Sequence, residues 1–185
     1  MGNNQVYCGI DPGKTGGICC LNSSEGVIEG LYLIPKINNV VDLRALGEIF
    51  DHFPVENTVI TMEKIHALGQ VSAKSTFEFG RIYGMLEGIF ASKGFTYTLT
   101  TPKIWQKEMF EGVDEIRKPS KINKNGKTVK GRVDTKKMAA IACNRLFPDV
   151  DLNITEKGNK SKNVHDGLAD ALLIAEYTKR KYNKR

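Results

Sequence analysis

The sequence predicts an α/β fold with a mixed β-sheet. Three short apolar runs separated by tight turns open the chain, and they predict an antiparallel meander of three strands. Two later runs, short and β-branched or alternating, lie between segments with helical periodicity. The order is therefore β-β-β-α-β-α-β-α-α-α, which gives five strands flanked by helices.

The stretch from Val6 to Cys20 predicts a strand, a turn and a second strand. Asp11 ends the first strand, and Pro12-Gly13 is typical of a turn because Pro presets φ and Gly accepts a positive φ. A P-loop is excluded, since Cys8 stands where that motif needs glycine and a strand follows. Two interpretations stay open locally: a hairpin with a surface Asp, and the phosphate hairpin of an actin-like ATPase.

The later elements follow from periodicity and from breakers such as Pro and Gly. Gly80, Gly84 and Gly88 recur every fourth residue and predict close packing of one helix, with Phe77 on its buried face. The predicted elements are a strand at 27–35, a helix at 41–53, a strand at 57–65, a helix at 72–93, a strand at 95–100, a short helix with Pro102 at its first position, a helix that Asp134-Thr135 caps and that ends before Pro148, and a final helix starting near Asn163.

Length and composition indicate a single globular domain over 1–185. The chain has 185 residues, of which 41% are hydrophobic and 26% are charged. No apolar run is long enough to span a membrane, and no signal peptide is visible. Four cysteines without a CxxC pair predict buried free thiols and a reducing, cytoplasmic location.

The net charge of +6 is unevenly distributed. Residues 111–133 lack apolar periodicity and predict a long basic loop, an insertion that is mobile without a ligand. Lys118 and Lys121 lie in this loop, and a second basic segment, the tail at 179–185, ends the sequence. Such segregation on an otherwise acidic body predicts a surface for a polyanion, and nucleic acid is the favoured partner.

Four acids stand out by position. Asp11 and Glu63 each end a predicted strand, while Asp166 and Asp170 lie one turn apart on the final helix. An acid among so many apolar residues as surround Asp170 is costly to bury unless it is paired or binds a metal ion. We therefore predict that these four carboxylates form one catalytic site.

Clustered carboxylates repel one another, and divalent cations remove the conflict. Oxygen ligands without paired His or Cys favour Mg²⁺, for which Mn²⁺ can substitute. Two ions about 3.5–4 Å apart clamp the attacking and leaving oxygens in phosphodiester hydrolysis. The residues thus predict a two-metal nuclease.

The motifs GIDPG at 9–13, EKIH at 63–66, GRIYG at 80–84 and HDGLAD at 165–170 occur in this order over most of the chain. Together they resemble the RuvC-like Holliday junction resolvases, in particular the compact phage type. The resemblance implies an RNase H-like fold. It also implies a homodimer that nicks four-way DNA junctions symmetrically and leaves 5′-phosphate and 3′-hydroxyl ends.

The resemblance further implies several roles. His66 corresponds to a residue near the junction centre, and family lysines that contact phosphate correspond to Lys107 and to Lys136 or Lys137. Some relatives place a His near the final motif, so the third ligand is either His165 or Asp166.

Besides a junction resolvase, the sequence leaves two alternative functions open. One is a less selective nuclease for branched DNA or flaps. The other is an actin-like nucleotide-binding protein, for which 185 residues leave no room for two subdomains.

Overall fold

The structure is a computed structural model, and it describes residues 5–23, 27–64, 72–122, 124–155 and 157–183. Its strands, in chain order, are β1 (Val6–Asp11), β2 (Gly17–Asn22), β3 (Ile28–Leu33), β4 (Lys36–Ile37), β5 (Val40–Val41), β6 (Thr58–Glu63), β7 (Tyr97–Thr100), β8 (Lys121–Ile122) and β9 (Thr128–Val129).

Five of these strands form one mixed sheet, with the order β3-β2-β1-β6-β7. Strands β1, β2 and β3 are antiparallel neighbours, as the predicted meander requires. Strand β6 runs parallel to β1, and β7 runs parallel to β6. The predicted α/β fold with a five-stranded mixed sheet is confirmed.

Helices flank this sheet, and each predicted helix is present. They are α1 (Leu43–Phe50), α2 (Ala73–Lys93), α3 (Pro102–Met109), α4 (Thr135–Leu146) and α5 (Asp166–Tyr182). One face of the sheet packs on α1 and α2 through a core that includes Phe50 and Phe90. The other face packs on α3, α4 and α5. Alternate residues of β2 therefore enter two separate cores, Ile18 and Cys20 the first, and Cys19 and Leu21 the second.

Helix α5 is buried along most of its length. Its central residues at 171–175 are small or aliphatic, and all five are fully shielded from solvent. The helix packs against β1, β2, β3 and β6. It therefore closes the second core across most of the sheet.

Residues 111–133 are not the predicted structureless loop, because they contain the β-hairpin of β8 and β9. The Asn125-Gly126 pair between these strands is a turn signal that the prediction did not use, and the two-residue strands, exposed on both faces, carry no apolar pattern long enough to mark them. A second small hairpin, β4 with β5, was not predicted either.

The cysteine prediction is wrong for two residues. Cys8 and Cys20 face each other in the register of β1 and β2, and the structure joins them in a disulfide. Directly opposed residues of an antiparallel pair share a face, which brings their side chains together. Cys19 and Cys143 are buried free thiols, as predicted.

The glycines of α2 do not pack as predicted. A Cβ added at Gly80, Gly84 or Gly88 would have no heavy atom within 4 Å. Phe77, expected to be buried, is 70% exposed. Within the described residues, this face of α2 is thus open to solvent.

No helix among the described residues is long and apolar enough to cross a membrane. That the whole chain forms one nuclease domain stays a prediction.

Candidate active site

Asp11 and Glu63 end two adjacent parallel strands at the same edge of the sheet. The register pairs Ile10 with Met62, and each acid is the last residue of its strand. The Asp11 carboxylate accepts a hydrogen bond of 2.9 Å from the backbone N–H of Gly13 in the following turn. Strand pairing therefore brings the first two predicted acids to neighbouring positions.

Trp105 orients the carboxylate of Glu63. The indole Nε1–H donates a hydrogen bond of 2.8 Å to Glu63 Oε1. Trp105 is fully buried on α3, where it packs edge-on against Phe110. Because its ring is held by the core, the hydrogen bond fixes one oxygen of Glu63.

Helix α5 carries the other two acids to the same edge. A Cβ at Gly9 would lie 2.1 Å from the backbone nitrogen of Ala175 and 2.4 Å from the carbonyl oxygen of Ala171, so only glycine permits this approach. Gly9 and Asp11 share a face of β1 because side chains alternate along a strand. The face of β1 that bears Asp11 is therefore the face on which α5 and Asp170 lie.

The four acids act on one another electrostatically. Burial, followed by the charges of Asp11, Glu63 and Asp166, raises the pKa of Asp170 well above its usual range. Burial raises the pKa of Asp11 to about 6, against the Gly13 hydrogen bond. Burial also raises the pKa of Glu63 to about 7. Each of these three partly buried acids thus resists ionisation in the absence of a nearby cation.

Lys136 supplies positive charge at this cluster. Its Nζ forms an ion pair with Asp166, and both side chains are partly exposed. Its charge also lowers the pKa of Asp11 and of Asp170. Of the predicted lysines, Lys136 is the one that the structure brings to the carboxylates.

His165 and Asp166 have different environments. His165 is the N-cap of α5, and its ring Nδ1 accepts a hydrogen bond of 3.3 Å from the backbone N–H of Leu168. Asp166 contributes instead to the electrostatic field on Asp11 and Asp170. Asp166 is therefore electrostatically coupled to the cluster, whereas His165 serves as a helix cap, and the choice of third ligand stays a prediction.

The donor set fits a hard divalent cation. All four acids offer oxygen ligands, which Mg²⁺ and Mn²⁺ prefer, and the raised pKa values show a need for positive charge. However, no group of three or more His, Cys, Asp or Glu side chains in the described part of the chain is arranged to hold a metal ion. The four carboxylates interact electrostatically in this structure, and their oxygen atoms would have to move closer together to bind one metal ion.

Comparison with solved structures identifies the architecture. A structure described as T. thermophilus RuvC in complex with Holliday junction substrate matches with a TM-score of 0.60 and 14% identity, covering 96% of this chain and 97% of that chain. A second, described as Thermus thermophilus RuvC, matches with a TM-score of 0.58 and 16% identity, covering 94% and 92%. The chain has the RuvC fold. No protein-family model and no curated protein matches it.

The other predicted DNA contacts are scattered over the RuvC-like fold. His66 lies outside the described residues. Lys107 is exposed on α3 and lines a shallow cleft with Tyr177, two turns along α5 from Asp170. Lys137 is exposed on the first turn of α4. Lys118 and Lys121 lie within residues 111–133, Lys121 on β8 and Lys118 shortly before it.

Sequence reasoning missed three residues near the acids. Trp105 lies in the predicted short helix, and no local signal marks its hydrogen bond to Glu63. Lys14 and Lys74 line a cleft of about 420 Å³ that reaches Asp11. Lys14 lies in the turn after Asp11, and Lys74 lies in the first turn of α2, and neither belongs to a motif that marks a site. Their proximity depends on how α2 docks beside the first turn.

Proposed function

We propose that this protein is a metal-dependent endonuclease that resolves four-way DNA junctions. The observation that carries the proposal is the placement of Asp11, Glu63, Asp166 and Asp170 at one edge of a RuvC-like sheet. The similar T. thermophilus protein is described in complex with a Holliday junction substrate. The need for positive charge among these acids is what a phosphodiester-cleaving metal site requires.

Each residue has a role in this proposal. Asp11, Glu63 and Asp170, with Asp166, would hold two Mg²⁺ ions, which supply a hydroxide nucleophile and stabilise the leaving 3′-oxygen. Trp105 keeps Glu63 oriented through its hydrogen bond. Lys136 lies beside Asp166 and offers a cation to the phosphate.

Symmetric nicking requires two copies of the site, so we propose a homodimer. The open face of α2 supports an interface there, since Gly84 and Gly88 leave room for a second helix and Phe77 is 70% exposed. Gly84→Arg should convert the dimer to a monomer in sedimentation analysis, whereas Ile141→Arg, on the exposed side of α4, should not. A dimer that survives Gly84→Arg would place the interface elsewhere.

Cleavage of labelled DNA tests the activity. We expect Mg²⁺-dependent paired nicks in a four-way junction, with less cleavage of forks, flaps and linear duplex. Asp170→Asn should reduce the rate at least about a hundredfold and retain binding, because bound metal contributes several kcal/mol of charge stabilisation. Undiminished cleavage would refute the role of Asp170. Equal cutting of all substrates would favour the less selective branched-DNA nuclease.

A further inference from the structure

Residues 116–122 and 124–134 form one antiparallel ribbon. Asp134 N–H donates to Ile116 O at 2.7 Å, and Lys118 N–H donates to Arg132 O at 2.9 Å. Nearer the tip, β8 pairs with β9, Lys121 opposite Val129 and Ile122 opposite Thr128. At about 3.3 Å per residue, the ribbon is roughly 20 Å long.

The ribbon concentrates positive charge on a concave surface. No acid occurs between Arg117 and Arg132 in the sequence. A concavity of about 390 Å³ is lined by four cations, which are Lys118, Lys121, Lys130 and Arg132. In the part of the chain that the structure describes, none of these four forms an ion pair with an acid. Four like charges that converge on a hollow favour an anionic ligand.

The end of the ribbon nearest α4 is connected to the carboxylate cluster through that helix. Its second strand leads directly into α4, where the buried Asp134 side chain caps the helix. Two residues later, Lys136 pairs with Asp166. A ligand held by the ribbon therefore approaches the acids from a defined direction.

We propose that this ribbon holds a duplex arm of the DNA substrate, with phosphates in its concavity. The major groove of B-DNA admits a two-stranded ribbon, and a length of roughly 20 Å spans about six base pairs at about 3.4 Å per step. This inference rests on the proposed function for its substrate. It adds a second contact region, separate from the carboxylates, that selects duplex over single strand.

The salt dependence of binding tests this role. Affinity for a four-way junction, a linear duplex and a single strand is measured in EDTA between about 50 and 200 mM salt. The ribbon variant carries Lys118→Gln, Lys121→Gln and Lys130→Gln. The control carries Lys157→Gln, Lys160→Gln and Lys162→Gln, three exposed lysines outside the ribbon, the basic tail and the open face of α2, and it removes equal charge. We expect the ribbon variant to reduce the log–log slope for duplex by about three and the control to change it little.

Gly131 offers a test without loss of charge. A Cβ at this position would lie 1.6 Å from the carbonyl oxygen of Lys118, so Gly131→Ala should open the ribbon. We expect it to weaken duplex binding at least threefold, while Gly126→Ala at the open tip should not. The inference would be overturned if both triple variants had the same salt-dependence slope for duplex. It would also be overturned if the ribbon variant lost more affinity for single-stranded DNA than for duplex. Junction cleavage is measured in a separate assay, so a failure of the proposed nuclease activity can be told apart from a failure of DNA binding by the ribbon.

Discussion

The carboxylate cluster and the basic ribbon are built in opposite ways. The acids are held by the sheet and α5, where burial raises the pKa of Asp11, Glu63 and Asp170. The lysines of the ribbon are exposed, and its strands are joined through backbone hydrogen bonds. The first region loses stability by concentrating charge, whereas the second gathers charge at little cost because water solvates it.

The two regions should differ most in the free energy of unfolding that each loses when one methyl group is added to it. Gly9→Ala would collide with the backbone of α5, so we expect a loss of about 3 kcal/mol or more in the free energy of unfolding. Gly126→Ala has open space around it and a φ of 72°, so it should cost only about 1 kcal/mol locally. Urea denaturation measures both, and similar losses would contradict the comparison.

Neutralising one charge in each region should have unequal effects. Raised carboxyl pKa values mean that the folded state binds protons more tightly, so metal-free stability should fall as the pH rises from about 4 to about 7. Asp170→Asn should flatten this dependence and raise stability near neutral pH by at least about 1 kcal/mol. Lys121→Gln should do neither. Thermal unfolding in EDTA across this range provides the measurement.

Removing the indole hydrogen bond should have a moderate effect. Trp105→Phe leaves the buried Glu63 without its donor and should cost about 1–3 kcal/mol of stability. It should also slow nicking. Ile122→Ala, at a 75% exposed ribbon position, serves as the control and should change neither quantity. Unchanged nicking in Trp105→Phe would show that Glu63 needs no fixed orientation.

The smallest stability effect should occur where the two regions meet. Lys136→Gln removes a partly exposed ion pair, worth about 0–1 kcal/mol. It also removes a cation from the acids, so we expect tighter Mg²⁺ binding by calorimetry. Arg44→Gln breaks an exposed pair elsewhere and should leave Mg²⁺ binding unchanged. Weaker Mg²⁺ binding in Lys136→Gln would contradict this view of its charge.

The sequence predicts the sheet and the helices because apolar periodicity is strong there. Asp11 and Glu63 are visible as acids at strand ends, and Asp170 is visible as an acid in an apolar helix. The ribbon is marked in the sequence only by its Asn125-Gly126 turn, because its strands have no buried face that would produce an apolar pattern. Trp105 and Lys74 are likewise hidden, because their neighbours are set by tertiary packing.

The docking of α5 on β1 has a consequence for synthesis of the protein. Asp11 and Glu63 emerge early in translation, but Asp166 and Asp170 follow about a hundred residues after Glu63. A nascent chain that has not yet added this helix lacks half of its acids and one wall of its second core. The proposed nuclease activity should therefore be absent until α5 has packed onto the sheet.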